Sequence, residues 1–285
     1  MSKLRELLPR RFFLETWRRM DEEAMAEREA RRASGLGYDL RPLIALVVGA
    51  ICLILMEYWG MQGAYRRFIA WLLERYPDPT NLVHALRRSQ FWALSGHAWW
   101  ALWRVLGFFL IPLLAIRLSG ERIREQGLSV RGFAAHLWLY GLLFGIVLIC
   151  VVGVSFTEEF STYYPFYQGS SRSWLDFGAW ELLYAAQFFS LEFFFRGWWL
   201  KACKSVMGSQ AIFVMLVPYV MIHFGKPMLE TFGAIFAGIV LGTLAMKTRS
   251  IWSGFLIHVS VAVSMDLAAL LQTDGLPQTL LPPGL

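Results

Sequence analysis

"FFSLEFFFRGWWL" occupies residues 188–200 and is among the most apolar stretches of the chain, yet Glu192 and Arg196 stand four residues apart inside it. A run of this kind, placed in lipid, must satisfy its backbone hydrogen bonds internally, so it reads as part of a membrane helix. A charge near the centre of such a helix costs about 2.5–3.5 kcal/mol on insertion scales, and each one therefore calls for a partner or a use. At i, i+4 the two side chains share one helix face and can pair.

The surrounding chain supports the membrane reading. Its 285 residues are 56% hydrophobic and 16% aromatic, and 17% are charged. An ordinary soluble domain carries about 25% charged residues. Mean hydropathy is +0.46. Seven apolar segments are expected at about 41–62, 92–117, 133–155, 177–200, 209–224, 231–247 and 251–271. The expected fold class is all-α, a polytopic transmembrane helical bundle with about seven membrane segments. It divides into a charged tail, 1–40, and a membrane domain, 41–285. In the tail, Phe13, Trp17 and Met20 fall on one face at helical spacing. That face suits either an interfacial helix or a solvated charged one. No cleavable signal peptide is expected, because the first 40 residues are charged throughout.

The net charge of +6 is not a nucleic-acid signal. Basic residues sit in the tail and the connections between apolar runs, so the partner they imply is the bilayer. Cys52, Cys150 and Cys203 show no ligand spacing. By the positive-inside rule the tail, the 117–131 connection, Lys201 with Lys204, and Lys247 with Arg249 share the cytoplasmic side. The 157–174 loop and the C-terminal end then face outward. The Arg-rich connection at 63–91 is the exception: counting spans puts it outside against its charge.

Further ionisable residues lie in the C-terminal half: His223, Glu230, His258 and Asp266. A structural ion pair explains Glu192 and Arg196 about as well as a catalytic use does. Two histidines on other segments add the groups that water activation and oxyanion stabilisation require. One depth is awkward. With the fourth segment ending near 200, His223 comes out about 10 Å nearer the outside than Glu192. Glu181, three turns before Glu192, reads as an interfacial charge.

The motifs "LEFFFRG" at 191–197, "YVMIH" at 219–223 and "HVSVA" at 258–262 occur in that order. "GIVLGTLAMKTRSIWSGFLIH" leads into the last of them. In this respect the chain resembles the CPBP family (CAAX protease and bacteriocin-processing, Abi) of intramembrane endopeptidases, over roughly residues 120–270. That family carries EExxxR, an aromatic-xxx-His and His-xxx-Asn. Two positions depart from it: Leu191 stands where its first Glu belongs and Ala262 where its Asn belongs.

The resemblance implies a glutamic-type peptidase that hydrolyses a peptide bond in a membrane-associated peptide or protein, without a metal or other cofactor. Glu192, Arg196, His223 and His258 are its matched residues. Glu230 is a further candidate base, with Asp266 and Tyr219 secondary. The expected setting is multi-pass in a bacterial inner membrane with a cytoplasmic N-terminus. Two alternatives stay open. One is an inactive relative acting as a membrane scaffold or immunity protein. The other is a metal-dependent hydrolase holding zinc on His223, His258 and Glu192.

Overall fold

The computed structural model describes residues 8–130 and 133–284, except the side chain of Ala134. The first seven residues of the tail, residues 131 and 132 at the end of the basic connection, and the C-terminal residue lie outside the described residues. The described residues contain helices and connections but no strand. Six helices are long and apolar enough to cross a membrane: Arg41–Trp59, Trp92–Leu118, Leu137–Val154, Trp174–Met221, Met228–Thr248 and Trp252–Gln272. The all-α polytopic expectation holds.

The count differs by one because the fourth and fifth expected segments fall within the 48-residue stretch Trp174–Met221. That stretch is not a single rod. Phe195 and Tyr219 meet edge-on with ring centroids 5.5 Å apart. A straight helix would hold them about 36 Å apart at 1.5 Å per residue. The chain doubles back at Gly208, which ends the helix Leu200–Met207 with φ 58° before Ala211–Met221 begins.

Both conformation and space demand glycine here. The left-handed φ disfavours a side chain, and a Cβ would lie 2.2 Å from Asp21 Oδ1. Asp21 in turn accepts a hydrogen bond from the Ser209 amide at 2.6 Å, holding the start of the returning arm. Counted from Gly208, Glu192 and His223 lie about sixteen and fifteen residues along the two arms, so they sit at the same level. The expected 10 Å offset came from ending the fourth segment near 200, whereas the helix runs on to Met207.

Two compact units divide the chain. The first comprises Met1–Ala50, Phe109–Leu143 and Leu191–Ile257. Within it the tail forms a helix, Glu15–Ala33, whose buried residues are Thr16, Met20 and Ala24. Trp17 Nε1 donates to Thr243 Oγ1 at 3.0 Å, and Lys204 Nζ donates to Glu23 Oε2 at 2.6 Å. Full burial of Met20 alone contributes about 1.5–3 kcal/mol. The basic connection joins the same assembly: Lys201 Nζ donates to the Glu125 carbonyl at 3.0 Å, and the Ile251 amide to the Gly127 carbonyl at 3.0 Å. The four basic stretches that the charge rule puts on one side thus gather in one place.

The second unit comprises Ile51–Phe108, Phe144–Ser190 and His258–Leu285. Its core surrounds Trp180, which is fully buried and stacks on Phe166 at 5.3 Å. Arg172 Nη1 donates to the Gln90 carbonyl at 2.7 Å, and the Trp174 amide to the Thr279 carbonyl at 3.0 Å. These bonds tie the 157–174 loop to the Arg-rich 63–91 connection and to the C-terminal end. Inside that connection the helices Gln62–Arg75 and Leu82–Arg88 are too short to span.

Candidate active site

Glu192 ends the helix Trp174–Glu192, and the next seven residues, Phe193–Trp199, wind as a π-helix. Such insertions widen the helix locally and recur at functional sites. Every residue from 191 to 200 is buried. Arg196 Nη1 donates to Glu192 Oε1 at 3.0 Å, with both side chains wholly removed from solvent. Removing either partner would leave an uncompensated buried charge, which costs about 3–5 kcal/mol.

A second element steadies the arginine. Its guanidinium carbon lies 4.1 Å from the centre of the Tyr219 ring. A desolvated cation–π contact of this kind contributes about 2 kcal/mol. Tyr219 then leads to His223: their rings meet edge-on at 4.9 Å, and His223 Nδ1 lies 2.7 Å from the Tyr219 carbonyl oxygen. A carbonyl can only accept, so the proton of neutral His223 sits on Nδ1 and Nε2 is the acceptor.

Two glycine contacts fix this geometry. On Met228–Thr248, a Cβ at Gly238 would come within 2.4 Å of Leu216 Cδ1 and 3.2 Å of Tyr219 Cδ1. The Gly238-xxx-Gly242 pair therefore lets that helix close onto the one carrying Tyr219, as small residues do in membranes. At the start of Trp252–Gln272, a Cβ at Gly254 would fall 2.1 Å from Glu192 Oε2. No side chain fits there while Glu192 keeps its position.

Glu230 is engaged elsewhere in the first unit. It accepts from Lys226 Nζ at 2.7 Å in the first turn of Met228–Thr248. Gly225, at φ 87°, turns the chain between His223 and that helix. Thr231 Oγ1 closes the turn onto the His223 carbonyl at 3.0 Å.

In the second unit, His258 stacks on Phe188 with centroids 5.2 Å apart and planes 10° from parallel. Asp266 is fully buried and accepts from Trp180 Nε1 at 2.7 Å and from the Phe166 amide at 3.2 Å. Glu181 is half-buried and interacts with Asp266. Among the described residues, no group of three His, Cys, Asp or Glu side chains is arranged to hold a metal ion.

So the first unit brings Glu192, Arg196, Tyr219 and His223 together, pairs Glu230 with Lys226, and presents Gly254 to the carboxylate. Sequence reasoning missed Gly254 and Trp180. Gly254 carried a usable signal: it lies one turn before His258 on the same helix face. Nothing local marks Trp180 as the Asp266 partner.

Residues 173–264 match the family model described as Rce1-like, type II CAAX prenyl endopeptidase. Over this region the chain is similar to that family of CAAX proteases. The resemblance to CPBP endopeptidases is borne out over those residues, a shorter span than the 120–270 expected. The match takes in Glu192, Arg196, Tyr219, His223, Glu230 and His258, and stops before Asp266. No curated protein and no solved structure matches the chain. With six apolar helices and this family match, the chain is an integral, multi-pass membrane protein.

Proposed function

We propose that the chain hydrolyses a peptide bond in a membrane-associated peptide or protein, with Glu192 as the base that activates water. The observation that carries this reading is the setting of Glu192. It is a carboxylate wholly buried in an apolar helix, pinned through Oε1 by Arg196, with Oε2 directed at the missing side chain of Gly254.

In the proposed reaction Glu192 takes a proton from water, and the hydroxide so formed adds to the scissile carbonyl carbon. His258, matched by the family motif, donates to the resulting oxyanion. The tetrahedral intermediate collapses as the C–N bond breaks, and the proton held on Glu192 passes to the leaving amine. Arg196 positions the carboxylate and stabilises its charged form between steps. His223, with Nε2 as acceptor, orients the attacking water. Glu230 is the weaker candidate base because it stands outside the EExxxR-like motif and its side chain, paired with Lys226, is only partly buried. No step in this scheme calls for a metal.

A second reading, a relative without catalysis, rests on Leu191 and Ala262, both buried and apolar where the family carries Glu and Asn. One comparison separates the two. Wild type, Glu192→Gln, Glu230→Gln and His223→Ala are each co-expressed with membrane-anchored peptide candidates, and cleavage is followed. Glu192→Gln is expected to lower the rate by about 10²–10⁴-fold, the range of one acid–base group. Glu230→Gln is expected to cleave at nearly the wild-type rate. Unchanged cleavage in all of the variants would remove the peptidase assignment.

A further inference from the structure

The first unit also contains a cavity of ≈ 420 Å³ whose lining includes six cations, Arg196 of the buried pair among them. Arg19 comes from the tail helix, Arg124 from the basic connection, Lys201 and Lys204 from Leu200–Met207, and Arg249 from the end of Met228–Thr248. Only Glu23 and Glu125 oppose them in the lining. Both are already shared: Glu23 accepts from Lys204 at 2.6 Å and from Arg249 at 3.2 Å, and Glu125 lies 3.7 Å from Lys201. Arg196, also in the lining, is paired with Glu192. Like charges gathered from separate elements repel unless an anion joins them.

Two features say what kind of anion fits. The cavity lies where Met228–Thr248 ends and Trp252–Gln272 begins, and Ala245, Met246, Ser250 and Ile251 line it. Span ends mark the headgroup level of a bilayer, where lipid phosphates lie. The wall is also mixed, since Met20, Ala245, Met246 and Ile251 place apolar surface beside the cations. A phospholipid presents that combination, a charged phosphate joined to an apolar body.

We infer that this cavity is a phosphate-binding site that takes the headgroup of an anionic phospholipid. Arg196 is shared with the carboxylate pair, but Arg124 and Arg249, the cations tested below, take no part in the proposed hydrolysis, so the site is tested independently of it.

The full chain is purified in detergent, and thermal unfolding and bound-lipid mass are measured with inorganic phosphate, phosphatidylglycerol or phosphatidylcholine. The same is done for the double variant Arg124→Gln/Arg249→Gln; both side chains are exposed, so the fold is expected to persist. Arg124→Lys/Arg249→Lys, which keeps both charges, is expected to bind as wild type does. Phosphatidylglycerol is expected to raise the melting temperature by several degrees and phosphatidylcholine to leave it unchanged. The Gln variant is expected to bind phosphatidylglycerol about thirtyfold more weakly for the two lost cations. A response to phosphate with no preference between the lipids would keep the anion site and overturn the lipid as its source. No response to either anion, or equal binding by wild type and the Gln variant, would overturn the site.

Discussion

Glu192 and Asp266 are both carboxylates removed from solvent in apolar helices, one in each unit, and they are held in different ways. Glu192 is paired with a permanent cation four residues along its own chain, and the second oxygen meets a glycine. Asp266 is held by neutral donors from other elements, the Trp180 indole and the Phe166 amide. The first arrangement keeps a charged oxygen in place beside a position that no side chain fills. The second uses both oxygens to fasten a loop and an aromatic core. Burial of a carboxylate is therefore not by itself a sign of chemistry; what its second oxygen faces is more informative.

The contrast can be broken most forcefully at the arginine. Arg196→Met strands a buried carboxylate, so it is expected to destabilise the protein by about 3–5 kcal/mol. Denaturation of the purified variant measures this. A loss under 1 kcal/mol would mean that the ion pair is not what holds the helix. Gly254→Ala comes next. Its methyl must displace Glu192, and a shift near 1 Å is expected to lower cleavage about 10²-fold per folded molecule, with an overpacking cost of about 1–3 kcal/mol that stays below that of Arg196→Met. Cleavage at the wild-type rate would show that the carboxylate tolerates movement and is not the base.

Asp266→Ala sharpens the other side of the comparison. It leaves the buried Trp180 indole and the part-buried Phe166 amide without this acceptor, at an expected cost of about 1–3 kcal/mol. Amide exchange at 160–170 should quicken, and residual cleavage per folded molecule should stay within a few-fold of wild type. A collapse of activity without a stability change would instead give Asp266 a role in the reaction.

The smallest expected effect concerns a third carboxylate, outside the spans. Burial raises the Asp39 pKa, but hydrogen bonds from Arg41 and Ser205 more than offset this and hold it at about 2. A depressed carboxyl stabilises the fold above its unfolded pKa near 4 and loses that contribution as pH falls toward 2. Fluorescence of Trp17, read against Asp39→Asn, should report looser tail docking over that interval in the wild type and a flatter profile in the variant.

Much of this was legible from local pattern. Apolar runs near span length gave the all-α membrane class, because lipid leaves the backbone no other way to satisfy itself. Glu192 and Arg196 four residues apart implied a pair, and the pair forms. The grouping of basic stretches followed from charge alone. Other features were not legible. The Arg-rich connection at 63–91 defied the charge rule, and the Arg172–Gln90 bond joins it to the 157–174 loop. The fourth segment is expected to end at 200, with Lys201 and Lys204 on the cytoplasmic side, whereas the helix runs on through both to Met207. Both serve the tail side, bonded to the Glu125 carbonyl and to Glu23.

The sequence by itself determined the all-α membrane class and which ionisable residues stand inside apolar runs, since helix periodicity and the cost of charge in lipid act within a few residues of chain. Only the tertiary structure decided that Gly208 folds two segments into a hairpin, levelling Glu192 with His223. It also decided that Tyr219 covers Arg196 and that Gly254 faces the carboxylate. Those meetings depend on which helix faces pack together, and close packing is settled by side-chain volumes contributed from distant parts of the chain.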